Sequence, residues 1–316
     1  MRIIVTGGAG YIGGQTVLAL LDAGHSVLAI DRSLKNNHLK DSGAKWLVAD
    51  FAGEVSLGTI KTFQPNAIIH CAGTSLVGPS MLNPAEYYDN NFVKTKQLCD
   101  FLVQENIQTR LIFSSSAATY GNPIITPCQE VDPTEPISPY GQSKLMTEWM
   151  LQSYQHAYGL DYVAFRYFNA CGADSQGRHG QAPGATHIIA RVLESIHNTS
   201  SQFTLNGTDF ETADGTCVRD YVHVQDIATA HVLALSDRII AGVYNLGTKQ
   251  GHSNLEVLQA VQRVTGHKLD YAIGPQRAGD PAMLTADADK FAKISGWQPQ
   301  CTLDDTIRHV WTWYNR

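Results

Sequence analysis

The first strand-length run of the chain, residues 3–6, leads straight into Gly7-Gly8-Ala9-Gly10-Tyr11-Ile12-Gly13, and an apolar helical pattern opens there. A strand that turns through glycines three residues apart into a helix leaves few folds open. The backbone must turn tightly and leave room for a close neighbour without Cβ atoms in the way, as where a pyrophosphate is bound. The helix start then offers unpaired N–H groups and a partial positive charge to phosphate oxygens.

Beyond this turn, strand and helix alternate. Apolar runs of strand length lie at 3–6, 26–31, 45–50, 67–71, 110–114 and 161–168, mostly continuous rather than alternating. Continuous runs suit strands covered on both faces, as in a parallel sheet. Helical periodicity fills 10–23, 84–105 and 139–158. The pattern predicts right-handed crossovers and an α/β fold, a Rossmann-type doubly wound parallel sheet. Beyond about residue 169 the rhythm loosens. Residues 172–184 read as a long loop, with helices expected at 187–197, 224–235 and 254–265 and short strands at 203–205 and 243–246. The expected division is a dinucleotide-binding domain over 1–170, to which later segments near 220–250 return, and a smaller C-terminal α/β substrate domain over 171–316.

Charge and composition exclude other classes. The 316 residues carry 23 Lys and Arg against 29 Asp and Glu, a net charge of −6, so the basic surplus of a nucleic-acid binder is missing. No uncharged apolar run reaches the length of a membrane span. Cys71, Cys99, Cys128, Cys171, Cys217 and Cys301 are scattered, with no CxxC and no nearby CxxH, and read as reduced thiols rather than as a metal or redox site. With no signal-like apolar region ahead of the first strand, a cytoplasmic address is expected.

Strand ends carry the next clues. Asp31 ends the second strand, 18 residues after Gly13, where a carboxylate accepts from adenosine ribose hydroxyls and repels a 2′-phosphate. That favours NAD over NADP, with Arg32 beside it pulling the other way. Asp50-Phe51 ends the third strand, at the adenine edge, and His70-Cys71-Ala72-Gly73 ends the fourth, where small residues let a cofactor cross the strand tips. Tyr140 and Lys144 lie four apart at the start of a helix, on one face. A tyrosine of ordinary pKa, about 10, is a poor base at neutrality; a neighbouring ammonium and an oxidised nicotinamide both favour its phenolate. Ser114-Ser115-Ser116 ends the fifth strand, at the sheet edge where open α/β folds bind ligands.

Serine, tyrosine and lysine in this order, after such a glycine turn, resemble the short-chain dehydrogenase/reductase superfamily. The 24-residue gap from Ser116 to Tyr140 and the long C-terminal region resemble its extended branch. Longer phrases resemble the UDP-glucose 4-epimerase family: Glu86-Tyr87-Tyr88-Asp89-Asn90-Asn91, Ser138-Pro139-Tyr140-Gly141, Arg166-Tyr167-Phe168-Asn169, Asp214-Gly215-Thr216, Val218-Arg219-Asp220-Tyr221-Val222-His223-Val224 and Arg277-Ala278-Gly279-Asp280. The resemblance implies that Tyr140 is the base, that Lys144 lowers its pKa and binds the nicotinamide ribose, and that Ser116 orients the sugar 4-hydroxyl. It implies NAD held by Gly7, Gly10, Tyr11, Ile12, Gly13, Asp31, Asp50, Phe51, Cys71, Ala72, Gly73, Asn90, Ser114, Tyr140, Lys144 and Tyr167. It implies a UDP-sugar held by Ser116, Tyr140, Asn169, His187, Asn206, Arg219, Arg277, Asp280 and Leu284, and a homodimer paired through the helices of Asn91 to Phe101 and Lys144 to Tyr154. The implied reaction is a reversible oxidation at C4 to a 4-keto sugar, with re-reduction on the opposite face.

The chain departs from the family pattern in three places. Thr74-Ser75 stands where some members carry lysine, and His187 where many carry asparagine. Leu284 resembles a gate beside the sugar C2 substituent, intermediate between the tyrosine that excludes N-acetyl sugars and the small residues that admit them. UDP-N-acetylglucosamine, UDP-xylose and UDP-glucuronate therefore stay open as substrates, as does a non-catalytic NAD-binding regulator. Ala117-Ala118 after Ser116 lacks the acidic pair of a 4,6-dehydratase.

Overall fold

Alternate residues of a strand point to opposite faces, and in the central strands here both faces are buried. In β1 (Arg2–Thr6), Ile3 and Val5 enter one apolar core and Ile4 the other. The computed structural model describes residues 1–34, 38–182, 184, 186–197, 202–276 and 280–316. In chain order the first half runs α1 (Tyr11–Asp22), β2 (Ser26–Asp31), β3 (Lys45–Val48), α2 (Glu54–Phe63), β4 (Ala67–His70), α3 (Val77–Leu82), α4 (Pro84–Tyr88), α5 (Lys94–Gln104), β5 (Arg110–Ser116), α6 (Pro139–Tyr158) and β6 (Tyr162–Tyr167). The second half runs β7 (Asn169–Cys171), α7 (Ile188–His197), β8 (Phe203–Asn206), β9 (Val218–His223), α8 (Val224–Leu233), β10 (Gly242–Leu246), β11 (Gly251–Ser253), α9 (Asn254–Thr265), β12 (Tyr271–Gly274), β13 (Met283–Leu284), α10 (Asp289–Ser295) and α11 (Leu303–Tyr314).

Among the described residues the main sheet has seven strands in the order β3-β2-β1-β4-β5-β6-β10, every pairing parallel. The order reverses between β1 and β4, which opens a crevice at their carboxyl ends. One face is covered by α1 and α8 with Val17, Leu20, Ile227 and Ala230; the other by α2, α5 and α6 with Ile60, Leu98, Leu102 and Leu151. This is the Rossmann-type doubly wound arrangement expected.

A second, smaller lobe is built on β7, β9, β11 and β13, the pair β8–β12, and helices α7, α9 and α11. Within 220–250, α8 and β10 join the main sheet while β9 belongs to the second. Residues 289–297 also return: Phe291 and Trp297 are buried in the first core, and Trp297 Nε1 donates to Asp226 O on α8 at 2.9 Å.

The helix expected over 84–105 is broken. Its middle, Asp89–Val93, is a π-helical turn between α4 and α5. The extra residue per turn lets Asn90 and Asn91 both face inward, a feature often found at functional sites. Helix α6 spans 139–158 as predicted, because Ser138 caps it, Pro139 starts it and Gly159 stops it in the left-handed region.

Candidate active site

The glycine turn is dictated by backbone contact. Gly7 has φ +68°, and a Cβ there would lie 2.7 Å from Ala72 N; one on Gly13 would lie 2.1 Å from Gly7 O. Gly10 sits at the N-cap of α1 with no side-chain cap, so the first turn of the helix faces outward as an anion site. Asp31 Oδ2 accepts from Ala9 N at 3.1 Å and its Oδ1 from Ser33 N at 3.2 Å. These bonds hold the carboxylate against the turn with lone pairs to spare for ribose hydroxyls. Gly7, Gly10, Asp31, Asp50, Phe51, Cys71, Ala72, Gly73 and Asn90 line one cleft together with Arg32. An elongated dinucleotide fits it: glycine backbone for the pyrophosphate, a carboxylate for the ribose, small residues across the strand tips.

Directed hydrogen bonds stiffen the floor of this cleft. Thr95 Oγ1 donates to Asn91 O at 2.8 Å, so it must accept from His70 Nε2 at 2.9 Å. His70 Nδ1 then accepts from Thr6 Oγ1 at 2.7 Å, and Thr6 accepts from Ala72 N at 3.3 Å. Burial pushes His70 down to about 3, which keeps it neutral and suits that order. Asn91 ties the loop after β4 to α6: its Oδ1 accepts from Thr74 N at 2.7 Å and its Nδ2 donates to Ser143 Oγ at 3.0 Å. Lys94 Nζ donates to Asp50 Oδ2 at 2.9 Å and Asn90 Oδ1 at 3.0 Å, and Asn90 Nδ2 donates to Thr74 Oγ1 at 2.9 Å. Partial burial would raise Asp50, but the bonds from Lys94 and Ala52 N outweigh it and hold the carboxyl below its ordinary value. Neither Asn91 nor Lys94 is singled out as a site residue by the sequence; the four-residue step from Asn90 to Lys94 is the one local signal for the latter.

Among the three serines at the end of β5, the structure distinguishes Ser116. Ser115 points to the α6 side and donates to Glu148, which is paired with Arg166 through Nε at 3.0 Å and Nη2 at 2.6 Å. Ser114 Oγ is bonded to Tyr167 Oη at 2.9 Å. Ser116 Oγ accepts from Ala118 N at 3.1 Å, which leaves its proton for a partner, and it faces Tyr140. Lys144 is buried, with Nζ donating to Ser114 O at 2.7 Å and lying 5.9 Å from the Tyr140 ring centre. Burial pushes Lys144 down to about 8. Burial also raises the Tyr140 phenol, with the Ser116 hydroxyl pulling the other way. Burial therefore leaves the phenol above its ordinary value in the chain alone, and a positive charge placed in the cleft would favour the phenolate.

A second cleft lies in the smaller lobe. Asn169, His187, Asn206, Arg219 and Asp280 line it, together with Arg191, Tyr221 and Asn254. Arg219 Nη1 donates to Val218 O at 2.8 Å, and its Nη2 lies 3.7 Å from Asp280 Oδ1. Burial lowers the His187 pKa and so favours its neutral ring. Arg191 is a second cation that the sequence does not single out; its guanidinium lies 5.7 Å from the Phe203 ring centre. The two clefts abut along the chain: Tyr167 ends β6 on the cofactor side and Asn169 begins β7 in the second cleft. Leu284, opposite Arg219 in the β13–β9 pairing, packs on the cluster of Ala117, Tyr120 and Phe168, immediately after Ser116. Arg277 lies outside the described residues.

Scattered in sequence, Cys301, His223 and His309 bring potential ligand atoms within 4.8 Å of one another. His223 Nδ1 accepts from Gln225 N at 3.0 Å, so Nε2 carries the proton and donates to His309 Nδ1 at 3.1 Å. The cluster is explained as a helix cap with a histidine pair, and His223 offers no open lone pair to a cation.

Residues 3–247 match the sequence profile of the NAD dependent epimerase/dehydratase family. The chain is 42% identical to a UDP-glucose 4-epimerase of Halalkalibacterium halodurans, over 99% of this chain and 96% of the relative. It is 40% identical to that of Azospirillum brasilense, over 99% and 91%. Among solved structures it resembles a UDP-glucose 4-epimerase from Stenotrophomonas maltophila with bound NAD and formylated UDP-arabinopyranose, with TM-score 0.94, 34% identity and coverage of 100% and 98%. It also resembles one from Bifidobacterium longum in complex with NAD⁺ and UDP, with TM-score 0.92, 36% identity and coverage of 100% and 98%. With the glycine turn, the serine–tyrosine–lysine set and a full-length match in agreement, the chain belongs to the NAD dependent epimerase/dehydratase family.

Proposed function

We propose that this protein interconverts UDP-glucose and UDP-galactose through a transient 4-keto sugar, with NAD as its resident cofactor. The observation that carries the reading is Ser116 facing Tyr140, one helical turn from a buried Lys144 whose ammonium lies beside Gly73 of the dinucleotide-shaped cleft. When bound, NAD⁺ supplies the hydride acceptor that makes oxidation at C4 reversible.

The chain's own residues do the rest. Tyr140 Oη takes the proton of the sugar 4-hydroxyl and later returns it. Ser116, with its proton unspent, holds the same oxygen in line. Lys144 stays mostly protonated at neutrality with a pKa of about 8, and presents that charge to the cofactor ribose and to Tyr140. Gly73 passes so near that a Cβ there would lie 3.7 Å from Lys144 Nζ, which supports an ammonium aimed at the cofactor cleft. Tyr167 bounds the nicotinamide end. Asp31, Asp50 and Asn90 hold the adenosine half. Arg219, with Arg277, meets the diphosphate with forked donors, Asp280 accepts from the uridine ribose, and Asn169, His187 and Asn206 line the path of the nucleotide sugar. Anchoring at the diphosphate leaves the 4-keto sugar free to turn its other face.

No helix among the described residues is long and apolar enough to cross a membrane, and all six cysteines are unpaired, which supports a reducing, cytoplasmic setting. Val93, immediately before α5, and Trp149, on α6, are 41% and 58% exposed, which supports a homodimer joined through these helices. Light scattering at micromolar concentration is expected to give twice the chain mass, and a monomer would contradict this pairing.

Tyr140→Phe removes one hydroxyl and little packing. It is expected to fold, to retain NAD and to convert UDP-galactose about 10³-fold more slowly, as read by chromatography of the products. Undiminished turnover would reject Tyr140 as the base. In the parent protein the same assay with UDP-xylose and UDP-N-acetylgalactosamine ranks the other sugars, with Leu284 the side chain that decides the last.

Lys144 also predicts a pH effect. Its pKa in the folded chain, about 8, lies below the ordinary 10.5, so the unfolded chain binds the extra proton between these values. Stability of the NAD-free protein therefore carries the full penalty below pH 8 and recovers it as pH rises toward 10.5. Lys144→Met is expected to stabilise the NAD-free protein by about 2 kcal/mol at pH 7, with the difference shrinking from pH 8 upward and small by about pH 10 in urea titrations. Equal destabilisation at both pH values would contradict it.

A further inference from the structure

His231, on α8, is fully buried yet takes no part in the chemistry above. Its Nδ1 lies 2.9 Å from Thr16 Oγ1 and its Nε2 2.6 Å from Tyr167 Oη. Counting protons fixes the direction of every bond. Thr16 has one hydroxyl proton, which goes to Ile12 O at 2.9 Å, since a carbonyl can only accept. Thr16 must therefore accept from His231 Nδ1–H. Burial pushes His231 down to about 3, so the ring is neutral and Nε2 is bare. Tyr167 Oη then donates to Nε2 and accepts from Ser114 Oγ at 2.9 Å. The chain runs one way, from Ser114 through Tyr167, His231 and Thr16 to Ile12 O.

Its two ends matter. Ser114 also offers its carbonyl to Lys144 Nζ, and Ile12 lies in the first turn of α1, where the cofactor's phosphates would sit. We propose that His231 is a positioning residue: it commits the Tyr167 hydroxyl inward, so that Tyr167 shows the nicotinamide only its ring, and it ties that ring to the phosphate-binding turn of α1. The proposal rests on NAD occupying the cleft. It explains why a tyrosine beside a redox centre does not offer a competing proton there. It also explains why a polar ring lies in the apolar face between α1, α8 and β6, where leucine would pack.

A double-mutant cycle tests it, with Tyr167→Phe and His231→Leu measured singly and together. The readouts are NAD⁺ affinity by calorimetry on protein stripped of cofactor, and kcat and KM with UDP-galactose. Each single variant is expected to weaken NAD⁺ binding and lower kcat about fivefold, the worth of one buried neutral hydrogen bond, with KM little changed. The double variant is expected to be no worse than either single one, because both remove the same bond. His231→Gln, which restores an acceptor to Tyr167, is expected to recover most of the loss. Losses that multiply to about twenty-five-fold in the double variant, or an unaltered His231→Leu protein, overturn the proposal and leave His231 as packing. If His231→Leu does not fold, Thr16→Val breaks the same chain one link away, and there an unchanged NAD⁺ affinity overturns it and a loss of about fivefold supports it. A parent protein that binds no NAD⁺ removes the functional reading itself, a result distinct from every variant comparison.

Discussion

A buried ammonium resting on a strand-end carbonyl organises this molecule. The 2.7 Å bond from Lys144 Nζ to Ser114 O joins α6 to the edge of β5 where the sheet opens. It sets Tyr140, one helical turn earlier, against Ser116, two residues further along the strand. The arrangement is electrostatically unfinished. Burial makes the lysine too acidic, at about 8, and the tyrosine too weak an acid to ionise at neutrality. A positively charged ring placed in the adjoining cleft favours the phenolate directly, by opposite charge, while a ribose hydroxyl offers the ammonium a partner that water cannot reach. The protein's contribution to catalysis is then a pair of groups whose pKa values are poised to shift when the cofactor is in place.

Around that pair, polar side chains are ordered rather than merely buried. Buried polar groups cost heavily unless each finds its partner. Two chains of hydrogen bonds flank the cofactor cleft, one through His70 and one through His231, and each runs in a single direction because a threonine proton is spent on a carbonyl. Ser115, Glu148 and Arg166 form a third buried group on the far face of β5, with the Arg166 guanidinium 4.7 Å from the Tyr120 ring centre. The second lobe stays in register with this frame because the chain crosses back. α8, β10 and α10 all pack on the main sheet, so the strand bearing Arg219 is continuous with a helix of the first core.

Much of this is legible in local sequence, and the remainder depends on contacts far apart in the chain. The glycine turn, Asp31 at the end of β2 and the Tyr140–Lys144 step are short-range features; the first two line one cleft, and Lys144 Nζ lies beside its Gly73. Helix α6 carries its own cap and stop. The 84–105 segment reads as one helix because periodicity cannot register an extra residue; its π turn is favoured by Asn91, which bonds Thr74, 17 residues earlier, and Ser143, 52 later. Helix α2 is hidden by Ser56 and Gly58 on a short amphipathic pattern, whereas α11 carries two local signals, the Thr302–Asp305 capping box and an apolar stripe of Leu303, Ile307, Val310 and Tyr314. Three adjacent serines read alike until their partners are known. Thr16 and His231 are 215 residues apart, and no spacing rule joins them.

The most direct test is the ionisation of Tyr140 itself, followed by phenolate absorbance against pH in protein loaded with NAD⁺ and in protein stripped of it, with Tyr140→Phe as the blank. One tyrosine is expected to titrate far lower in the loaded protein than in the stripped one, and this component is expected to be missing from the blank. An identical titration with and without the cofactor would contradict a phenolate that depends on the bound dinucleotide.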